Sequence, residues 1–248
     1  MDKIANYIIF HPKRQSVKAS ATVLHRNGTI NKDWEGTIFV DSVFSGNEDP
    51  FVFNNPWLYS YCHSSQLRRN SKNTPYLQPG SKLIFVDGEE ADKGNFVVDT
   101  VFIVKDSLLW GKSLGPIQYL PTKYADIMNN ESSELWDRHF KFPFIPPYAH
   151  KNVTHSYEAD LWDDKKEIYS FLPLNSEGAV LSLSLLSLPI SVQNLVKKKR
   201  RGKFPILIES DIINEIITMI NTAVDIKVVK DIKLQDFEFT KSKHCGGC

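Results

Sequence analysis

Alternating polar and apolar positions dominate the first hundred residues of the chain, in short runs rich in Val, Ile, Phe and Thr. The segment 16–25 alternates in this way and is followed by Asn27-Gly28, a pair that tolerates the positive φ angles of a tight hairpin turn. We therefore predict a β-hairpin whose second strand covers residues 36–46.

A second pair of strands follows the same pattern. Residues 82–86 and 95–104 are apolar runs joined by an acidic turn bounded by glycines. Asp41 and Asp99 occur within predicted strands, on the same strand face as flanking Val or Phe residues. An unpaired charge is costly in such a place, so we expect each of these carboxylates to have a partner.

The strongest helical pattern lies near the C-terminus, in the segment SDIINEIITMINTA, with Ser210 as the expected N-cap. Its apolar residues share one helical face, which predicts that the helix packs on a sheet: Ile212, Ile213, Ile216, Ile217, Ile220 and Val224. Between the β-rich part and this helix, residues 113–150 are irregular and rich in proline and aromatics, with a short helical candidate at 124–140. A strand is expected at 167–172 and another short one after residue 236.

These elements predict one composite α+β domain over residues 1–240, because no linker of Gly/Ser or Pro composition divides the chain. Its parts are a β-rich core at 17–112, the irregular segment at 113–150, and a strand and helix region at 156–240. We expect a curved, mostly antiparallel sheet or a partial β-barrel, with the C-terminal amphipathic helix packed on it. Residues 241–248 are predicted to be a flexible tail.

Composition narrows the class of protein. A hydrophobic content of 42% can fill a core, and a formal charge of +1 gives no overall field that would attract a polyanion. The longest apolar stretch, 179–190, is interrupted by three serines and is shorter than the roughly 20 residues that cross a bilayer. Three cysteines do not make a disulfide framework, and the N-terminal apolar run is too short for a signal peptide. We expect a cytoplasmic protein with no membrane segment.

One basic run stands out against this neutral background. Between residues 197 and 203 six of seven side chains are positive: Lys197, Lys198, Lys199, Arg200, Arg201 and Lys203. Neighbouring like charges repel, which an anionic partner offsets, and phosphate contacts supply most sequence-independent affinity for nucleic acids. The alternative is an ordinary solvated loop.

An aromatic segment at 49–70 offers a second surface for the same ligand. Alternation places Trp57, Tyr59 and Tyr61 on one strand face, and Arg68 and Arg69 follow. Rings beside arginines suit base stacking and phosphate binding. We interpret Tyr59 as a core residue and predict that Trp57 and Tyr61 stack on bases while Arg68 and Arg69 bind phosphate.

The order of motifs across residues 49–104 resembles the nucleotide-modification-associated and PUA-like β-barrel modules of bacteria and phages. The motifs are the Asn-Pro-Trp segment, a Cys/His/Ser stretch ending in basic residues, LQPGSKLIFVDGEE, and the strand GNFVVDTVFIV. Ser81 departs from the pattern, since those families usually have Asp there. The resemblance implies a barrel that holds a base or a modified nucleotide, and it carries over no catalytic residues.

Metal and catalytic alternatives have fewer signals. His244, Cys245 and Cys248 supply three soft ligands, whereas a structural zinc site generally has four. Cys62-His63 are adjacent on a strand and so point to opposite faces. A Mg²⁺ nuclease could use scattered acids, and this alternative stays open with four candidates: Asp41, Asp87, Glu89 and Asp99.

We therefore predict a protein that binds nucleic acid or a nucleotide, in bacterial or phage nucleic-acid modification or defence. We assign it no metal and no cofactor. The alternatives are a Mg²⁺-dependent nuclease or nucleotide-processing enzyme, and a non-catalytic subunit that binds a protein partner in a defence complex. The sequence leaves the oligomeric state and the identity of the ligand open.

Overall fold

The computed structural model describes residues 4–11, 14–41, 50–53, 55–59, 67, 77–109, 155–198 and 205–235. The helical candidate at 124–140 and the strand and tail expected beyond residue 235 lie outside these ranges. In chain order the strands are β1 (Asn6–His11), β2 (Arg14–His25), β3 (Ile30–Asp41), β4 (Leu58–Tyr59), β5 (Lys82–Asp87), β6 (Asn95–Leu109), β7 (His155–Ala159), β8 (Leu172–Leu174), β9 (Ser182–Ser184), β10 (Ile206–Ile208) and β11 (Ile226–Leu234).

Two sheets contain all of these strands. The first has the order β10-β1-β5-β6-β7-β4, with β9 paired to the start of β6. The second has the order β3-β2-β11-β8 and is antiparallel throughout. The predicted hairpin is confirmed as β2 and β3, although its second strand begins at Ile30 and not at residue 36, and Gly28 in its turn has a φ of 83°.

The α+β class is confirmed, with strands as the main component, and most pairs between the named strands are antiparallel, as expected. The partial barrel, the other arrangement expected, is not seen among the described strands. Strand β1 runs parallel to β5, so the first sheet is mixed, and the described strands form two open sheets rather than a closed barrel. A parallel pair needs a long crossover between its strands, and here the β2–β3 hairpin lies within that connection.

Three α-helices occur in the described residues: α1 (Gly88–Asp92), α2 (Ile190–Lys198) and α3 (Ser210–Ala223). Helix α1 replaces the acidic turn expected between β5 and β6. The N-cap of α3 is Glu209 rather than Ser210, and Glu209 makes no side-chain capping hydrogen bond. None of the helices in the described ranges is long and apolar enough to cross a bilayer.

The first sheet is buried on both faces. Along β5, Leu83 and Phe85 belong to the core between the two sheets, while Ile84 and Val86 belong to the core beneath the helices. The α3 residues Ile213, Ile216 and Ile220 are in the second of these cores, which confirms that this helix packs on a sheet. The layers are therefore sheet, sheet and helices.

Candidate functional site

A buried ion pair joins the two sheets. Arg14 begins β2 of the second sheet, and its Nε lies 3.6 Å from Oδ1 of Asp99 in β6 of the first sheet. Both side chains are 3% exposed, and Arg14 Nη2 also donates to the carbonyl of Phe39 at 3.0 Å. Asp99 therefore has the partner that the sequence required.

A β-bulge directs Asp99 to this position. Phe85 pairs with Thr100 and Val86 pairs with Val98, so Asp99 is the extra residue in β6. Such a bulge changes the direction in which a side chain points. Asp41 pairs with Arg14 through the backbone of the β2–β3 hairpin, and its side chain is outside the described part of the structure.

A groove of about 720 Å³ opens beside the Arg14 side chain. Its walls come from the β2–β3 hairpin, from the region of α1, and from the turn that precedes β9. In the described part of the chain, the charged residues that line it are Arg14, Asp87, Glu89, Glu90, Lys93 and Glu177. Volumes of this order accommodate small-molecule ligands.

Two of the carboxylates in the groove serve the local structure. Asp87 caps α1, since its Oδ1 accepts hydrogen bonds from the backbone N–H groups of Glu89 and Glu90 at 2.7 and 3.0 Å. Glu90 pairs with Lys93 and accepts a hydrogen bond from Asn95 at 2.9 Å. The hydrogen bond from Lys93, together with that from Asn95, lowers the pKa of Glu90, and the bond to Glu90 raises the pKa of Lys93.

Among the described residues, four carboxylates and two cations line the groove, and one of these cations, Arg14, is paired with Asp99. The excess of negative charge among these described residues opposes the binding of a phosphate group. Within the described ranges no three His, Cys, Asp or Glu side chains come close enough together to hold a metal ion. Among the described residues, the acids considered for a Mg²⁺ nuclease therefore form no cluster that could hold a metal ion.

Trp57 does not have the exposed ring that base stacking requires. It is fully buried and belongs to the core between the sheets. Tyr59 is equally buried, as expected for a core residue, with its ring centroid 5.2 Å from that of Phe85. Alternation correctly places these two rings together, but on the side that faces the protein core. The ring of Trp57 is therefore not accessible to a base in this structure.

The other predicted binding residues divide into two groups. Lys197 and Lys198 are the last residues of α2, so the basic run begins in a helix and not in a loop. The remainder lie outside the described residues: Tyr61, Arg68, Arg69, Lys199, Arg200, Arg201 and Lys203. The described residues thus give no common surface for the aromatic segment and the basic run.

Helix α2 itself is firmly attached to the rest of the molecule. Val192 and Val196 are buried in the core beneath the helices. Gln193 Nε2 donates hydrogen bonds to the carbonyls of Leu186 and Leu188, at 3.1 and 2.8 Å. The basic run therefore starts directly after a buried residue of an anchored helix.

A cluster in which lysines contact aromatic rings was not predicted from the sequence. Lys227 Nζ lies 4.8 Å from the ring centroid of Phe171 and 5.3 Å from that of Tyr169. Lys230 Nζ lies 5.2 Å from the ring of Trp162. The sequence feature that could have indicated this cluster is the apolar pair Ile226 and Val228 in β11. Their alternation predicts a strand that carries lysine on its other face.

Comparison of the chain with protein-family models, with curated proteins and with solved structures finds no match.

Proposed function

We propose that this protein binds nucleic acid or a nucleotide through the basic run Lys197–Lys203. The observation that carries the proposal is the density of charge, six positive side chains in seven residues, in a chain whose formal charge is only +1. Phosphate groups are the ligands that such a run attracts most strongly, because binding releases their condensed counterions.

The attachment of the run supports this proposal. Val192 and Val196 anchor helix α2 in the core, so the backbone of Lys197 and Lys198, its last two residues, is attached to the folded protein. Cations are also favoured at a helix C-terminus, where the last carbonyl groups carry partial negative charge. A short anchored basic segment loses less conformational freedom on binding than a long free one.

The burial of Trp57 shapes the expected specificity. Because the ring of Trp57 is buried, Tyr61 is the remaining candidate for base stacking. The roles of Tyr61, Arg68 and Arg69 stay predictions, since these residues lie outside the described part of the structure. We therefore expect binding through phosphates, with weak sequence preference and strong dependence on salt. The role that we propose is in nucleic-acid modification or defence in bacteria or phages, and it rests on the resemblance across residues 49–104.

The test is a salt titration of binding. Fluorescence anisotropy with labelled duplex DNA, single-stranded DNA and RNA gives the dissociation constant from low to moderate salt. Replacing Lys198, Lys199 and Arg200 by Ala should weaken binding at low salt. It should also reduce the slope of log K against log salt by about 2–3 for duplex DNA, since each phosphate contact contributes about 0.9.

The matched control removes the same charge elsewhere. Lys18, Lys32 and Lys233 are exposed and lie on the second sheet. Their replacement by Ala should leave the slope within about 0.5 of the wild-type value, because these lysines make no phosphate contacts. An equal effect of both triple variants would show a general charge effect and contradict the proposal. Stable co-purification with an acidic protein, without nucleic acid, would instead favour the protein-interaction alternative.

A further inference from the structure

The groove beside Arg14 has the size and the mixed lining of a ligand site. Its volume is about 720 Å³, which lies within the range of small-molecule pockets. Apolar side chains and hydroxyl groups line it together with the charged residues named above: Phe39, Val97 and Val180, and Ser16, Thr37 and Ser182. The binding of nucleic acid through the basic run makes no use of this groove.

The two cations of the groove are already paired. Arg14 pairs with Asp99, and Lys93 pairs with Glu90. Three other carboxylates line the groove and form no ion pair within the described ranges: Asp87, Glu89 and Glu177. The groove therefore has negative charge that the described residues do not balance, which favours a cationic ligand.

Asp87 has a carboxylate oxygen that the protein leaves unused. The residue is only 8% exposed and lines the groove. Both capping hydrogen bonds from α1 go to Oδ1, and Oδ2 accepts none from the residues that the structure describes. Burial of a charged acceptor without a partner is unfavourable, so a donor from a ligand would be well bound at Oδ2.

The wall formed by α1 already stabilises one ammonium group, that of Lys93. The hydrogen bond from Lys93 to Glu90 raises the pKa of Lys93, and the negative charges of Glu89 and Asp87 raise this pKa further. Three carboxylates thus act together on a single cation beside α1. The amine or guanidinium group of a ligand in the groove meets the same field.

The chemistry of the groove favours an organic cation over a metal ion. No three metal-ligating side chains come together in the described part of the chain. A divalent metal ion needs several oxygen ligands at short and fixed distances, whereas an ammonium or guanidinium group only has to donate hydrogen bonds to separate acceptors.

We propose that the groove binds an organic cation whose ammonium or guanidinium group donates hydrogen bonds to the carboxylates of Asp87 and Glu89. The hydrocarbon part of the ligand lies against Phe39 and Val180. A second cationic group at the far end of the ligand pairs with Glu177, on the turn before β9. The site is separate from the basic run, so this inference does not depend on the binding of nucleic acid.

Three chain molecules of equal length and different charge test the proposal by isothermal titration calorimetry. They are diaminooctane, octanediol and octanedioate, each with its two polar groups at the chain ends. At neutral pH and low salt the diamine should bind with a Kd below about 1 mM, and the diol and the dianion at least about tenfold more weakly. Absence of diamine binding, or equal binding of the diol, would overturn the proposal.

Charge-neutralising variants locate the site. Glu89→Gln/Glu177→Gln keeps the side-chain size and the Asp87 cap, and it should weaken diamine binding at least about threefold. The control is Glu209→Gln/Glu215→Gln, which removes two exposed carboxylates at α3, outside the groove, and should change the Kd less than about twofold. Equal weakening by both variants would show a general charge effect and contradict the site.

A third variant should act in the opposite direction. Lys93→Met removes the ammonium that competes for this wall and frees the Glu90 carboxylate, so diamine binding should become at least about twofold tighter. Damage to the fold cannot produce this result. Weaker binding in Lys93→Met would contradict the assignment of the α1 wall to a cation.

The required chemistry has two sources, a free polyamine and the basic side chains of a peptide. Spermidine and a short capped peptide with two lysines are therefore titrated in parallel with diaminooctane. Whichever of the two binds more tightly identifies the source, provided that Glu89→Gln/Glu177→Gln weakens its binding. Insensitivity of both to this variant would overturn the site.

Discussion

Arg14 and Asp99 connect the two sheets through side chains that are each 3% exposed, with Nε and Oδ1 separated by 3.6 Å. One residue begins a strand of the second sheet, and the other is the bulged residue of the longest strand in the first. Both charges are removed from water, and their pairing offsets part of the cost of that burial. Arg14 also lines the groove, so this ion pair helps to fix the position of one groove wall.

Asp99→Asn should destabilise the protein by about 3–5 kcal/mol, because it removes the negative charge from a buried guanidinium–carboxylate pair. The free energy of unfolding, measured by urea denaturation with circular dichroism, checks this value. The double variant Arg14→Met/Asp99→Leu removes both charges and should recover most of the loss.

An exposed ion pair supplies the control for that experiment. Arg26 Nη1 lies 3.4 Å from Oδ1 of Asp225, and the two side chains are 55% and 32% exposed. Asp225→Asn should cost less than about 1 kcal/mol, since water screens such pairs. Similar costs for Asp99→Asn and Asp225→Asn would contradict the structural role assigned to the buried pair.

Gly36→Ala should destabilise the protein by about 1–3 kcal/mol through steric overlap. A Cβ atom at this position would overlap Cζ2 and Cη2 of Trp34, whose ring packs over the glycine in the core between the sheets. A double-mutant cycle with Trp34→Leu measures the effect, because the smaller side chain should reduce the cost of the added methyl group to below about 0.5 kcal/mol. Equal costs in both backgrounds would show that the ring is not the cause.

Local signals account for the parts of the fold that the sequence predicts correctly. The β2–β3 hairpin follows from alternation and from Asn27-Gly28, and the strands β5 and β6 follow from two apolar runs with one short connection. Helix α1 was missed because its stability depends on the Asp87 carboxylate, which binds two backbone N–H groups that a turn would leave free.

Contacts between distant segments account for most of what could not be predicted. Strand β11 lies between β2 and β8, and its alternation is broken by a bulge near Val229 and by Asp231, which has a φ of 58°. The two-residue period is lost at such a point. Similarly, the position of Asp99 in an apolar strand predicts that its carboxylate has a partner. Only the folded structure identifies Arg14 as that partner. For Trp57, alternation shows that its ring shares a strand face with Tyr59. It does not show whether that face is buried or exposed to solvent.

Ser170→Ala should cost about 1–3 kcal/mol, because it removes the partner of a buried backbone group. The Ser170 hydroxyl accepts a hydrogen bond from the N–H of Ile103 at 2.8 Å and donates to its carbonyl at 3.3 Å, within a site that is fully buried. Thermal and urea unfolding measure the loss. The exposed Ser176 is the matched control, and its replacement by Ala should change stability by less than about 0.5 kcal/mol. An equally small effect at Ser170 would show that water or a shifted backbone satisfies Ile103.

The stability of the wild type relative to Lys227→Met should rise with pH in the alkaline range. Burial lowers the pKa of Lys227 in the folded state below its usual value of 10.5. Between these two pKa values the unfolded chain binds more protons at this group than the native protein, so the free energy of unfolding increases as pH rises. Below the folded-state pKa both states are charged, and the full cost of burying the ammonium is present. Taking the difference between the two proteins cancels the titration of Lys82, Lys93 and Lys166, whose pKa values are also shifted. Urea denaturation at pH 7 to 10 measures the difference, and a decrease with pH would mean that the rings or an anion hold Lys227 in its charged form.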